Sequence, residues 1–361
     1  MTQPLRNRRR AAVLSFLAVV VAACGDGGVG PDDRVAGGID LDVLFAPATS
    51  AEIASVSADW AARTPTAQGI VVELDTTVSV LALKARVRIV SHLVDGTVRH
   101  FGAVITPTTL TAPAPVIVYA HGGDSGVELG QVLFTVPVLG DQADEFVWIV
   151  PSFRSETLLF GSDRWTSEGA ASPWDHDVDD AMALLDVTFD IEPQADSTRV
   201  GVLGFSRGGG VGLLMGVRDE RIDRVVDFFG PTDFFDEYVQ DVVAEVLDGS
   251  LRELPGIEVL NSDFIQPLRN GLMDIPSVRL ELVRRSAVLF ADRLPAVQIH
   301  HGTADEVVAV SQAESLIAAL EADGRTGPGF QSFLYEGGTH NPLALIGALE
   351  RTREYLIPLL N

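Results

Sequence analysis

Cysteine and basic residues are both scarce in this chain of 361 residues. Cys24 is the only cysteine, so no disulfide can form within the chain. Lysine and arginine together number 26 against 50 aspartate and glutamate residues, and the formal net charge is −24 at pH 7. A surface of this charge repels polyanions, which argues against a nucleic-acid partner. No self-similarity recurs at a fixed period, which argues against a repeat architecture.

An apolar run long enough to span a bilayer is also missing at the N-terminus. Ala11–Ala23, interrupted only by Ser15, falls short of the roughly 20 apolar residues that a spanning helix needs. Four arginines precede this run: Arg6, Arg8, Arg9 and Arg10. A positive segment, a short apolar segment and small residues before a cleavage point are typical of an export signal. Val21-Ala22-Ala23-Cys24 resembles a bacterial lipobox, in which the cysteine is acylated and becomes the new N-terminus.

The lipobox resemblance implies a domain organisation and a location. Residues 1–23 would be a signal peptide, Cys24 the lipidation site, and residues 24–45 a flexible, glycine-rich tether. Residues 46–361 would form the folded domain. We therefore expect an exported lipoprotein, anchored to a membrane through its N-terminal lipid and facing the periplasm or the cell exterior. An ordinary signal peptide with an incidental cysteine, and a twin-arginine route through Arg8-Arg9, stay open as alternatives.

The order of strands and helices predicts an α/β fold. Ile70–Leu74, Val78–Val90 and Val98–Ile105 are β-rich, and Asp95-Gly96 is a hairpin signal, so the sheet should begin antiparallel. Beyond Pro113, short apolar strands alternate with amphipathic helices, which predicts a doubly wound, mostly parallel sheet. The predicted strands are 116–120, 145–150, 199–203, 224–229, 296–300 and 330–335; the predicted helices are 50–63, 177–188, 208–218, 311–322 and 342–360.

Residues 231–290 interrupt this alternation. They combine many charges with the aromatic residues Phe234, Phe235, Tyr238 and Phe264, and they have little strand character. We expect a helical cap or insertion that covers the active site and controls access to it.

Gly204-Phe205-Ser206-Arg207-Gly208 predicts the catalytic nucleophile. This G-x-S-x-G motif lies between a predicted strand that ends at Leu203 and a predicted helix that begins near Gly208. Such a turn raises the serine hydroxyl above the sheet, and its glycines let the strand and the helix approach each other closely. The helix N-terminus favours negative charge that develops there. The predicted strand before the motif and the predicted helix after it favour a turn that carries the nucleophile Ser206 over a glycine turn without catalytic function.

The base can be chosen by chain order. In folds that place a G-x-S-x-G serine at such a turn, the nucleophile is followed along the chain by the acid and then by the histidine. Of the seven histidines, three follow Ser206: His300, His301 and His340. His300 and His301 close a strand. His340 lies in a glycine-rich loop between the last strand and the last helix, where the base is expected.

The acid should follow the next-to-last strand. Asp305 lies there and can orient the imidazole and stabilise its charged form. Glu306 and Asp233 are rival candidates, and Asp305 is favoured by its position.

The oxyanion hole needs two backbone N–H groups. One is expected from Arg207, directly after the nucleophile. The other should come from the loop His121–Gly126, and the sequence does not choose between Gly122 and Gly123 there.

An acidic cluster, Asp175–Asp180, is the one segment that resembles a metal site. Its side chains do not share one face, and Ser172-Pro173 before it marks a helix start, where acidic residues complement the helix dipole. We expect no metal.

These motifs together resemble the catalytic domain of the prolyl oligopeptidase family and its dienelactone-hydrolase and acetyl-xylan-esterase-like relatives. The similar segments are Gly204–Gly209, His301–Val308 and the loop that carries His340; Arg154 and Arg285-Ser286 fit the same pattern. The resemblance covers roughly residues 70–361 and implies the α/β-hydrolase fold. Fewer than about 100 residues precede the hydrolase sheet, too few for the β-propeller common among peptidases of the family. Ala287 stands where many relatives have proline.

We expect a serine hydrolase that cleaves carboxylic esters of small or medium acyl groups through an acyl-Ser206 intermediate, without a cofactor. The missing propeller favours small-molecule esters over peptide substrates. A compact peptidase of the prolyl oligopeptidase family, or a non-catalytic binding protein on the same fold, is the alternative.

Overall fold

The computed structural model describes residues 34–63 and 65–361, and a nine-stranded mixed sheet forms the centre of this part of the chain. Its strands are β1 (Ala67–Val80), β2 (Leu83–Val94), β3 (Val98–Pro107), β4 (Ala114–Ala120), β5 (Val147–Pro151), β6 (Ala195–Phe205), β7 (Ile222–Phe228), β8 (Ala296–Gly302) and β9 (Phe330–Tyr335). Across the sheet the order is β9-β8-β7-β6-β4-β5-β3-β2-β1. Strands β4 to β9 are parallel to one another, and β1 to β3 are antiparallel. The predicted doubly wound sheet with an antiparallel start is confirmed.

Helices cover both faces of the sheet. They are α1 (Ser50–Ala62), α2 (His176–Ile191), α3 (Arg207–Arg218), α4 (Glu237–Leu247), α5 (Ile275–Arg285), α6 (Ser311–Ala322) and α7 (Ala348–Leu356). Successive strand residues enter opposite cores: Val116 and Val118 pack with α1 to α6, whereas Ile117 packs with α7. Because both faces are buried, the parallel strands are nearly continuous apolar runs rather than alternating ones.

Two hairpin turns join the antiparallel strands. Asp95 (φ 52°) and Gly96 (φ 70°) form the predicted turn between β2 and β3. The predicted run Val78–Val90 is wrong as a single strand, because the chain reverses at Leu81 (φ 50°), between β1 and β2. Leucine rarely adopts this left-handed conformation, so the composition offered no turn signal there.

The folded domain begins earlier than residue 46. Val35–Ala36 and Ile39–Asp40 pair as short strands, and Leu41–Leu44 is helical. The side chains of Leu44 and Phe45 are buried, and Arg279 of α5 donates hydrogen bonds to the carbonyls of Leu44 (2.8 Å) and Ala46 (2.7 Å). The predicted tether 24–45 is therefore wrong for residues 35–45, of which Ala36, Leu41, Leu44 and Phe45 join the core. The signal segment and Cys24 lie outside the described residues.

A helical cap lies between β7 and β8, over residues 231–290. It contains α4, then the short helices Ile257–Leu260, Asn261–Ile265 and Gln266–Arg269, then α5. The short turn Ala287–Arg293 returns the chain to β8. Within the described residues, no helix combines the length and the apolar character needed to cross a membrane. The predicted last helix, 342–360, is shorter than expected: a 3-10 turn at Pro342–Ala344 precedes α7, and Gly347 (φ 81°) separates the two.

Candidate active site

Ser206 lies at a sharp turn between β6 and α3. Its backbone has φ 54° and ψ −122°, and its N–H donates to the carbonyl of Phe228 on β7 (2.8 Å). A Cβ at Gly204 would lie 2.3 Å from the carbonyl oxygen of Gly208, and a Cβ at Gly208 would lie 2.0 Å from that of Ala120. The glycines of the motif are therefore required for strand and helix to pass so closely. The turn holds a serine in a strained conformation of the kind found at functional sites.

Asp305 and His340 are hydrogen-bonded, with 2.7 Å between Asp305 Oδ2 and His340 Nδ1. The other carboxylate oxygen accepts from the backbone N–H groups of Val307 (2.9 Å) and Val308 (3.0 Å). Burial alone would raise the pKa of Asp305, but the bonds from His340 and Val308 outweigh it and hold that pKa below its usual value. The ionised carboxylate accepts a hydrogen bond from His340 Nδ1–H, which places the ring proton on Nδ1 and leaves Nε2 able to accept another.

Neighbouring bonds keep these two loops together. The N–H of Ala304, in the acid loop, donates to the carbonyl of Gly338, in the base loop (2.9 Å). His301 is fully buried, and its Nε2 donates to the carbonyl of Val308 (2.9 Å). In the sequence His301 is predicted only to close a strand. Its position shortly before Asp305 is the one sequence feature that points to a role in holding the acid loop.

The rival acids lie apart from the histidine. Asp233 Oδ1 caps the backbone N–H of Phe235 (2.9 Å), and Glu306 is exposed. Neither carboxylate bonds to His340 among the hydrogen bonds of the described residues.

Ser206 and His340 each contact a residue at the end of β7. The carbonyl of Phe228 accepts from Ser206, and the ring of the next residue, Phe229, lies 4.2 Å from the His340 ring, centroid to centroid. The described hydrogen bonds include none between Ser206 Oγ and His340. In hydrolases this contact often tightens only when substrate is bound.

The backbone of the predicted oxyanion loop packs on the serine. A Cβ at Gly122 would lie 3.0 Å from both the carbonyl oxygen of Phe205 and the Cβ of Ser206. Gly123 follows with φ 79°, a conformation that favours glycine. The carbonyl of Gly123 accepts from Arg207 Nη1 (3.2 Å), so one side chain joins the two predicted halves of the oxyanion hole.

Arg207 is held on three sides. Its buried guanidinium donates to Asp177 Oδ2 (2.8 Å from Nε) and to Glu156, and it lies 5.0 Å from the centre of the Phe153 ring. The Trp174 indole N–H donates to the carbonyl of Arg207 (3.1 Å). Burial raises the pKa of Glu156 to about 7 and that of Asp177 to about 6, against the opposing effect of Arg207. In the sequence Asp177 is predicted only as part of a helix start, and no local pattern pairs it with Arg207.

The rest of the acidic cluster also pairs with arginines. Asp175 lies 2.6 Å from Arg63, Asp180 lies 2.6 Å from Arg154, and Asp179 bonds to Arg218. In the described part of the chain, no three His, Cys, Asp or Glu side chains are grouped so that they could hold a metal ion.

A cavity of about 90 Å³, open to solvent on one side, lies beside Ser206. Apolar side chains of the cap form most of its wall, and Ser206, Arg207 and Val308 line it on the side of the sheet. The cavity gives the candidate site an apolar compartment, as expected for a binding pocket.

Comparison with known proteins defines the class of fold. An acetyl xylan esterase from Paenibacillus sp. R4 superimposes with a TM-score of 0.58, 16% identity and coverage of 87% of this chain and 98% of that one. An acetyl xylan esterase from Thermoanaerobacterium sp. gives 0.56, 16%, 86% and 93%. An acylaminoacyl peptidase from Pyrococcus horikoshii gives 0.52, 14%, 76% and 48%. No protein-family model and no curated protein matches the sequence.

The chain therefore has the α/β-hydrolase fold, as the motifs predicted. The similar structures include both esterases and peptidases, so the fold is compatible with either activity.

Proposed function

We propose that the protein is a serine hydrolase that cleaves carboxylic esters, with Ser206 as nucleophile, His340 as base and Asp305 as the acid that orients it. The observation that carries the proposal is the Asp305–His340 pair (2.7 Å) beside a strained serine turn in the expected order along the chain. A binding protein has no need of this pair, so a non-catalytic role is the weaker alternative.

In the proposed reaction, His340 Nε2 takes the proton of Ser206 Oγ as that oxygen attacks the ester carbonyl. The imidazolium is stabilised by the Asp305 carboxylate, whose lowered pKa keeps it ionised. The N–H of Arg207 and one from Gly122 or Gly123 receive the oxyanion. His340 then gives its proton to the departing alcohol, and water hydrolyses the acyl-Ser206 by the same steps in reverse.

Esters are favoured over peptides by the extent of the structural match. The acetyl xylan esterases align over 93% and 98% of their own length, whereas the P. horikoshii peptidase aligns over 48% of its length. The described residues thus correspond to a whole esterase but to only part of that peptidase. A propeller-free peptidase stays the second candidate.

Two measurements test the proposal. A fluorophosphonate probe should label the wild type and not Ser206→Ala, because the probe reacts with an activated serine. kcat/KM on p-nitrophenyl acetate and butyrate should exceed kcat/KM on aminoacyl and X-Pro nitroanilides, because amides have the poorer leaving group. Labelling without ester turnover, or faster anilide cleavage, would favour the peptidase; no labelling would favour a binding protein.

A further inference from the structure

We propose that the cavity beside Ser206 holds the acyl chain of the substrate, and that the preferred substrates are esters of medium-length fatty acids rather than acetate esters. This inference rests on the proposed ester hydrolase function and assigns its acyl specificity. The cavity, of about 90 Å³, has room for on the order of six water-sized groups, so an acetyl group would leave most of it empty.

Three helical segments of the cap each turn one apolar stripe toward this cavity. Representative members are Val239, Val242 and Val246 of α4, Phe264 of the middle segment, and Val278 and Leu282 of α5. Residues three or four apart on a helix normally interdigitate with their neighbours at high density. Here the stripes converge without filling the space between them. A cavity with such a lining excludes water and accepts apolar ligands.

The position of the cavity assigns it to the acyl side of the ester. Ser206 and Arg207 both line it, and Arg207 carries the N–H predicted to receive the oxyanion. His340, which must lie next to the departing alcohol to protonate it, is not part of the lining. A chain that begins at the ester carbonyl carbon attacked by Ser206 Oγ and enters the cavity is therefore the acyl chain.

One ion pair in the cavity wall restricts the acyl chain of the substrate to uncharged groups. Arg285 Nη1 donates to Glu281 Oε2 (2.7 Å), and the guanidinium lies 4.7 Å from the centre of the Phe264 ring. Glu281 neutralises Arg285, so no free cation is offered to a carboxylate at the end of the chain. An ω-carboxylate would lie in an apolar space near Glu281 at a high desolvation cost.

The test is the acyl-length dependence of kcat/KM on p-nitrophenyl esters, from acetate to dodecanoate, with the full-length protein. Each added methylene should raise kcat/KM about fourfold until the cavity is full, the factor expected from burying one CH₂. Octanoate should also exceed the p-nitrophenyl monoester of the C8 dicarboxylic acid. Methyl octanoate should be cleaved faster than octyl acetate, which places the same chain on the alcohol.

A matched pair of variants tests whether the acyl chain of the substrate occupies the cavity. Val242→Phe fills the cavity and should lower kcat/KM for octanoate by about tenfold while leaving acetate within about twofold. Asp241→Phe places the same ring on the exposed face of α4 and should change neither value. A flat or falling length profile with acetate still hydrolysed, or faster cleavage of octyl acetate, would overturn the inference. If the wild-type protein hydrolyses none of these esters and is not labelled by the fluorophosphonate probe, the proposed function is rejected instead.

Discussion

Asp305 and Asp233 differ in their partners, and this difference predicts their mutant kinetics. Asp305 holds His340, whereas Asp233 caps a backbone N–H. Asp305→Asn should lower kcat by a factor on the order of 10³ to 10⁴, because the amide favours the wrong imidazole tautomer. Asp233→Asn keeps an acceptor for its N–H partner and should stay within about threefold. Steady-state kinetics on one ester decide it; the opposite ranking would move the acid to the loop after β7.

Substitution of Arg207 should lower kcat in a different way, by disturbing the alignment of the oxyanion groups. Its guanidinium joins Gly123, Glu156 and Asp177, while its backbone N–H is unaffected by substitution. Arg207→Lys should lower kcat by about tenfold or more at nearly constant KM, because a lysine cannot bond to all three partners and the oxyanion groups lose alignment.

Arg218→Lys is the control for Arg207, since Arg218 is also an arginine of α3 whose side chain is little exposed and pairs with an aspartate, Asp179. Both variants should be assayed well below their unfolding temperatures. An equal loss of kcat in Arg218→Lys would show that any buried arginine of this helix has the same effect.

Asp227 predicts a pH-dependent stability. It is fully buried on β7, and burial raises its pKa to about 7 despite a hydrogen bond from the N–H of Gly230 (3.0 Å). Because the pKa is higher in the folded state than in the unfolded state, its contribution to stability is present at low pH and is lost as the pH rises through about 7.

Asp227→Asn removes this titration. The free energy of unfolding of the variant relative to the wild type should rise by about 1.4 kcal/mol for each pH unit between about 5 and 7 and level off above that. Urea unfolding at several pH values measures the difference. A difference that is constant across this range would mean that Asp227 does not titrate in the folded protein.

At the scale of elements, the predictions succeeded where a whole run of residues carries the signal. Strands β4 to β9 are predictable because both of their faces are buried, and the Asp305–His340 contact is predictable because strand ends determine where the two residues lie. Leu81 was missed because a single residue in an unusual conformation reverses the chain.

Contacts that depend on the final packing could not be predicted from sequence. Glu156 and Arg207 are 51 positions apart, and no local pattern pairs them. The partner of a buried charge is set by the register and rotation of several elements at once, here β5, α2 and α3. The same reason hid the role of residues 35–45, because Arg279 of α5 bonds to the Leu44 and Ala46 carbonyls and Phe235 contacts the Phe45 ring only in the folded chain.

This N-terminal segment predicts a stability effect. Leu44 is fully buried and Val43 is half exposed, although both belong to the short helix Leu41–Leu44. Leu44→Ala should lower the free energy of unfolding by about 2 to 4 kcal/mol, because a buried leucine leaves a cavity. Val43→Ala should change it by less than about 0.5 kcal/mol. If Leu44→Ala and Val43→Ala lower the free energy of unfolding by equally small amounts, the prediction of a flexible tether would hold for this segment after all.

For the whole molecule, the charge of −24 and the N-terminal signal make a joint prediction. A strongly acidic domain is repelled by anionic lipid headgroups, so any membrane attachment must come from a hydrophobic anchor. Acyl groups on Cys24 would supply it, because more than one chain is needed for stable attachment. The full-length protein produced in a bacterial host should therefore partition into detergent, and Cys24→Ser into the aqueous phase. Mass spectrometry of the mature N-terminus should find acylated Cys24; an unmodified N-terminus at another residue would contradict the lipoprotein hypothesis and leave the ordinary signal peptide.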